Sequence, residues 1–169
     1  MRVAILSDVH GNLEALEAVL IAIHRESVDR VVVLGDVVGY GPDPVACINR
    51  IREASAICLL GNHDQALVDA DRLHELNAMA RDTLLRSRDL LGTEEMAYLR
   101  SFVFRHVEGD AVYTHANPLE PEQWQALYLF EHIDWCLSEL KARIAFVGHT
   151  HYLGIYCRMD STSVPLTSS

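Results

Sequence analysis

The chain has 169 residues, 14 basic and 24 acidic, for a net charge of −10, and half of its residues are hydrophobic. That length suits one domain burying about 70% of its unfolded surface, and the composition excludes a disordered chain, a collagen-like repeat and a coiled coil. The acidic excess disfavours non-specific binding to nucleic acid or to an anionic membrane surface. The longest apolar run, Ala18 to Ile23, is too short to span a bilayer, and the N-terminus enters a strand-like run at once. Neither a membrane anchor nor a secretory leader is expected, and a cytoplasmic location is.

In chain order, five short apolar or β-branched runs stand out: Val3 to Leu6, Val31 to Leu34, Ile57 to Leu60, Ala111 to Thr114 and Ile144 to Val147. Such continuous runs suit strands buried on both faces. Between the first two, Leu13, Leu16, Leu20 and Ile23 recur at helical spacing behind Asn12, an N-cap type. Asp43 and Pro44 start a second helix that runs to about Glu53. The resulting βαβαβ order predicts a parallel sheet with right-handed crossovers. Asp71 to Leu91 reads as a longer helix, and Gly92 stops it. Thr93 then caps a helix from Glu94 to Arg100. Phe102 to Thr114 reads as a hairpin turning at Glu108, Gly109 and Asp110. Glu122 to Leu140 reads as helical, with Trp124 and Tyr128 on its core face. Tyr152 to Arg158 supplies one more strand, and Ser161 to Ser169 is a small polar, flexible tail. A single domain over residues 1–169 is expected.

The four cysteines, Cys47, Cys58, Cys136 and Cys157, lie far apart in apolar surroundings without CxxC spacing, and read as small buried hydrophobes. The histidines are more informative. The first run ends in Ser7-Asp8-Val9-His10, the second in Gly35-Asp36, and the third in Gly61-Asn62-His63-Asp64. The fourth ends in His115, and the fifth in Gly148-His149-Thr150-His151. Each strand thus delivers a metal-capable side chain just past its carboxyl end, where open α/β sheets place their ligands. Asp and His two apart can bind one cation, and a carboxylate such as Asp36 can bridge two. Asp, Asn and His without thiolate suit manganese, iron, zinc or nickel better than calcium. Paired cations acidify a water and neutralise phosphate oxygens, and His63, beside Asp64, is placed to protonate a departing alkoxide. The pattern reads as metal-assisted phosphoester hydrolysis. His24, His74, His106 and His132 carry no such context, and Gly39-Tyr40-Gly41 reads as a loop.

In this order the five motifs resemble the full set of the calcineurin-like metallophosphoesterases, from residue 5 to residue 151, in particular the small bacterial and archaeal phosphodiesterase-type branch. The resemblance implies a four-layer α/β/β/α sandwich. It assigns one metal to Asp8, His10, Asp36 and His151, and a second to Asp36, Asn62, His115 and His149, with manganese the first choice. It implies attack by a metal-bridging hydroxide, His63 assisting the leaving group and Asp64 orienting His63. Asp36 is followed by Val37, Val38, Gly39 and Tyr40, so the phosphate-gripping arginine of the protein Ser/Thr phosphatases is missing. Small phosphomonoesters or phosphodiesters, nucleotide-like ones included, are therefore expected as substrates, and phosphoproteins, nucleic acids and membranes are not. After His151 only 18 residues follow, where relatives continue through several strands. That predicts a second sheet shortened at its C-terminal end, whose open edge suits a homodimer. The rival function is a non-catalytic metal-binding interaction module on the same fold, of the kind that loses the catalytic histidine.

Overall fold

The structure, a computed structural model, describes residues 1–159 and 162–165. Strands β1 (Val3–Leu6), β2 (Arg30–Val33) and β3 (Ile57–Cys58) form a parallel sheet in the order β1-β2-β3. Val3 lies opposite Arg30, and Val32 opposite Ile57. Helices α1 (Leu13–Arg25) and α2 (Pro44–Glu53) are the crossovers. Asn12 Oδ1 accepts the Ala15 N–H at 3.0 Å, the expected cap, and Pro44 opens α2 where its missing N–H costs nothing. This half follows the βαβαβ reading.

Past β3 the chain makes α3 (Asn62–Val68), a 3₁₀ segment (Ala70–Glu75), α4 (Ala78–Leu90) and α5 (Thr93–Leu99). The long helix expected from Asp71 is therefore broken at Leu76, and a new helix starts where Asn77 Oδ1 accepts the Ala80 N–H. Gly92, not Thr93, is the cap of α5, because Glu95 Oε2 reaches back to the Gly92 N–H at 2.9 Å. The hairpin β4 (Arg105–Glu108) and β5 (Ala111–Thr114) turns at Gly109, which takes a φ of +57°. Strand β6 (Ile144–Phe146) adds parallel to β5, after α6 (Phe130–Glu139).

The helix expected from Glu122 is shorter than its pattern. Pro121–Gln123 forms a 3₁₀ turn and Trp124 adopts a left-handed φ of 53°, so α6 begins only at Phe130. Trp124 still packs on the core, whereas Tyr128 is exposed. A second hairpin, β7 (Tyr156–Met159) and β8 (Thr162–Pro165), packs against α6. The segment read as a flexible tail thus contains β8, and residues 161 and 166–169 lie outside the described residues.

Alternation along β2 explains the layering. Val33 faces a cluster with Leu16, Ile48, Ile51, Leu84 and Leu99, the helix-covered side. Val32 and Leu34 face Tyr113 and Phe146, so the two sheets pack on each other. Cys47, Cys58 and Cys136 are buried, Cys157 is half-buried, and all four are free thiols. No helix among the described residues is long and apolar enough to cross a membrane.

Candidate active site

The loops leaving β1, β2, β3, β5 and β6 converge because backbone bonds stitch them together. Asp8 N–H donates to Gly35 O at 3.1 Å, His10 N–H to Asp36 O at 2.9 Å, and Gly148 N–H to His115 O at 2.9 Å. The His149 N–H donates to Asp8 Oδ2 at 3.1 Å. Asp8, His10, Asp36, His149 and His151 all hold left-handed backbone, with φ between 48° and 67°. Each costs on the order of 1–2 kcal/mol for a residue with a Cβ. Strain of this kind gathers where surrounding structure forces side chains onto one point.

The side chains form two adjoining groups, linked by a third made of His10, Asp36 and His63. In the first, His151 Nε2 lies 3.1 Å from Asp8 Oδ1 and 3.3 Å from His10 Nε2. In the second, His115 Nε2 lies 3.4 Å from Asp36 Oδ2, with His149 alongside. The same Asp36 oxygen lies 3.7 Å from His10 Nε2, so it faces both groups. The tautomers are fixed from behind: His10 Nδ1 donates to Val38 O at 3.1 Å and His115 Nδ1 to Leu34 O at 3.0 Å. Each ring therefore turns an Nε2 lone pair inward. Asp8 Oδ1, Asn62 Oδ1 and His115 Nε2 are buried with no hydrogen bond of normal geometry.

Donor atoms converging at 3.1–3.7 Å, buried on every side except at the exposed His151, call for positive charge between them. Burial opposes charging His115, but Asp36 outweighs it and raises its pKa, so its Nε2 lone pair becomes a ligand as an ion displaces the proton there. Burial likewise pushes Asp36 up, yet His115, then His63 and His10, hold its carboxyl well below normal. Oxygen and imidazole donors in this set fit borderline divalent ions.

His63 and Asp64 begin α3, a helix the strand-and-motif reading missed, although Gly61 followed by Asp64 at the third position and Ala66-Leu67-Val68 is a helix-start signal. Asp64 does not orient His63. Its Oδ1 accepts the N–H groups of Val37 at 2.9 Å and Val38 at 3.2 Å, and its Oδ2 those of Asp36 at 2.7 Å and Gly61 at 3.1 Å. Both oxygens are filled, so the carboxylate clamps the loop carrying Asp36 to the start of α3. His63 Nδ1 is buried with no hydrogen-bond partner. The ring is held instead by packing against His10 and Tyr40, at centroid distances of 4.8 and 4.9 Å, and by Gly39, whose missing side chain leaves it room. Burial, opposed in part by Asp36, depresses His63 to about 4. A phosphate oxyanion brought beside it would favour its imidazolium form.

Comparison with known proteins places this geometry in context. The family model for calcineurin-like phosphoesterases matches residues 1–153. An uncharacterized protein of Methanocaldococcus jannaschii is 34% identical over 154 residues, covering 88% of this chain and 62% of that protein. The symmetrical bis(5'-nucleosyl)-tetraphosphatase of Nitrosospira multiformis is 36% identical over 98 residues, 56% of this chain and 35% of that enzyme. The crystal structure of a metallophosphoesterase from Sphaerobacter thermophilus superposes with a TM-score of 0.79 at 39% identity, covering 94% of this chain and 63% of that one. The chain therefore spans less than two thirds of the length of these relatives. The matched family model covers nearly the whole sequence and every motif at the strand ends, and the chain belongs to the calcineurin-like phosphoesterases.

Proposed function

We propose that this chain is a dinuclear-metal phosphoesterase acting on small, nucleotide-like phosphodiesters or phosphomonoesters. Asp8, His10, Asp36 and His151 would hold one divalent ion, and Asp36, Asn62, His115 and His149 the other, with manganese the first choice. The observation that carries this reading is the shared Asp36 oxygen, 3.7 Å from His10 Nε2 and 3.4 Å from His115 Nε2. When bound, such ions neutralise phosphoryl oxygens and make a water nucleophilic near neutral pH. The residues of the chain supply the rest. His63, in the first turn of α3, donates a proton to the departing oxygen. Asp64 keeps Asp36 in its strained backbone, and the buried hydrogen bonds behind His10 and His115 keep both rings turned inward. The tetraphosphatase named above supports the nucleotide-like substrate class.

Metal analysis of protein refolded or dialysed with Mn²⁺ tests the ligand set. Two ions per chain are expected for the wild type and fewer than one for Asp36→Asn, because the shared ligand serves both sites. Two ions retained in a folded Asp36→Asn protein would contradict the bridging assignment.

A further inference from the structure

Beside the proposed metal ligands lies an open cavity of about 520 Å³, lined by Asp8, Val9, His10, Asn12, Glu14, Tyr40, Gly41 and Pro42. That volume is in the range of small-ligand sites and exceeds what a bare phosphate fills. We infer that this cavity seats an uncharged, ring-bearing group of the phosphoester, of the nucleoside class, with the Tyr40 ring as the surface on which its ring packs. The inference rests on the phosphoesterase reading and adds the part of the substrate that is not phosphate.

Tyr40 is built for such a role and not for the core. It is 40% exposed although it sits among buried residues, and its ring lies 4.9 Å from both His10 and His63. It therefore spans from a proposed metal ligand to the proposed acid, the side on which a leaving group departs. Its position is enforced: the backbone takes a φ of 58°, the N–H donates to Thr83 Oγ1 on α4 at 3.1 Å, and the next residue, Gly41, donates to His10 O at 2.8 Å. An aromatic ring held in strained backbone beside a cavity and half open to solvent is a stacking platform, since every nucleobase has a face to offer.

The rest of the wall gives the charge of the occupant. Val9 and Pro42 are apolar, and the eight lining residues include no Lys or Arg but two carboxylates, Asp8 and Glu14. Asn12 has committed its Oδ1 to the cap of α1, leaving its N–H groups as donors. Glu14 accepts hydroxyl or amino donors and repels a second phosphate. A ribose with a neutral base meets these conditions, and a polyphosphate chain entering this cavity does not.

Adenosine 5'-monophosphate and ribose 5-phosphate release the same kind of primary alkoxide and differ only in the base, so their kcat/KM ratio isolates the ring. With Mn²⁺-loaded protein the ratio is expected to be roughly 5- to 150-fold in favour of the nucleotide, carried by KM. Tyr40→Ala is expected to remove most of it and Tyr40→Phe to keep it. A wild-type ratio near one, or an unchanged ratio in a folded Tyr40→Ala protein, would overturn the inference. Should Tyr40→Ala fail to fold, Glu14→Arg carries the test: turnover of adenosine 3',5'-bisphosphate relative to the monophosphate should rise at least about fivefold by charge reversal, and no rise counts against the cavity. Calorimetric binding of the same esters separates the two levels of argument. No hydrolysis but a Tyr40-dependent binding preference overturns the phosphoesterase reading alone; hydrolysis without that preference overturns the ring site alone.

Discussion

His63 is held by shape and not by a partner: its Nδ1 has no hydrogen bond, and the space beside it exists because residue 39 is glycine with a φ of +92°. A Cβ at residue 39 would collide with His63 Nδ1, so Gly39→Ala should displace the ring and lower kcat about 10- to 100-fold while both metals stay bound. Steady-state kinetics with metal analysis checks this. At Asp64, one carboxylate satisfies four backbone N–H groups, an arrangement an amide cannot reproduce because half of it is a donor. Asp64→Asn should destabilise the fold by about 2–5 kcal/mol in denaturant titrations and loosen metal binding through Asp36. Burial lifts the Cys47 and Cys58 thiols to about 12 and Cys136 to about 11. At pH 8, below all three values, the thiolate fraction is on the order of one in a thousand or less. A thiol reagent should therefore label half-buried Cys157 first in the native protein, and mass spectrometry of the labelled peptides reads the order.

Among the elements, legibility followed how local the signal was. Asn12, Pro44 and the Leu13-Leu16-Leu20 spacing are short-range instructions, and α1 and α2 form where they direct. The stretch from Asp71 to Leu91 carries helical periodicity throughout, but Asn77 offers a side-chain cap to Ala80 and the chain breaks there, a choice the apolar spacing does not encode. Trp124 was pulled out of helix by a tertiary contact, its Nε1 donating to Gln65 Oε1 at 2.9 Å on α3. Helix α3 is only seven residues long, and its first turn, Asn62, His63 and Asp64, is polar, so it carries no apolar periodicity to mark it. On α2, Ile48 is fully buried between the parallel sheet and the helices beyond it. Ile48→Ala should cost about 2–5 kcal/mol in urea unfolding, because it leaves a cavity in the helix-covered core.

Across the molecule, two sheets share the apolar layer of Val32, Leu34, Tyr113 and Phe146, and the ends of their strands set the loops face to face. Convergence was readable because each strand ended in a metal-capable residue; the partners within the site were not, because they depend on distances between loops from opposite ends of the sequence, such as those carrying Asp8 and His151. Hence Asp8, His10, Asp36, Asn62, His115, His149 and His151 are legible as a set from their places after the strands, while the clamp made by Asp64 and the fit between Gly39 and His63 exist only in the folded backbone. The most direct test of the proposed activity is hydrolysis of p-nitrophenyl phosphate and bis-p-nitrophenyl phosphate by metal-stripped protein with Mn²⁺ added back, run beside His63→Ala. Turnover that depends on Mn²⁺ and falls about 10²- to 10⁴-fold in His63→Ala, with both ions retained, is the predicted result. Two bound ions in a folded wild-type protein with no turnover of either ester, or a His63→Ala protein as fast as the wild type, would contradict it.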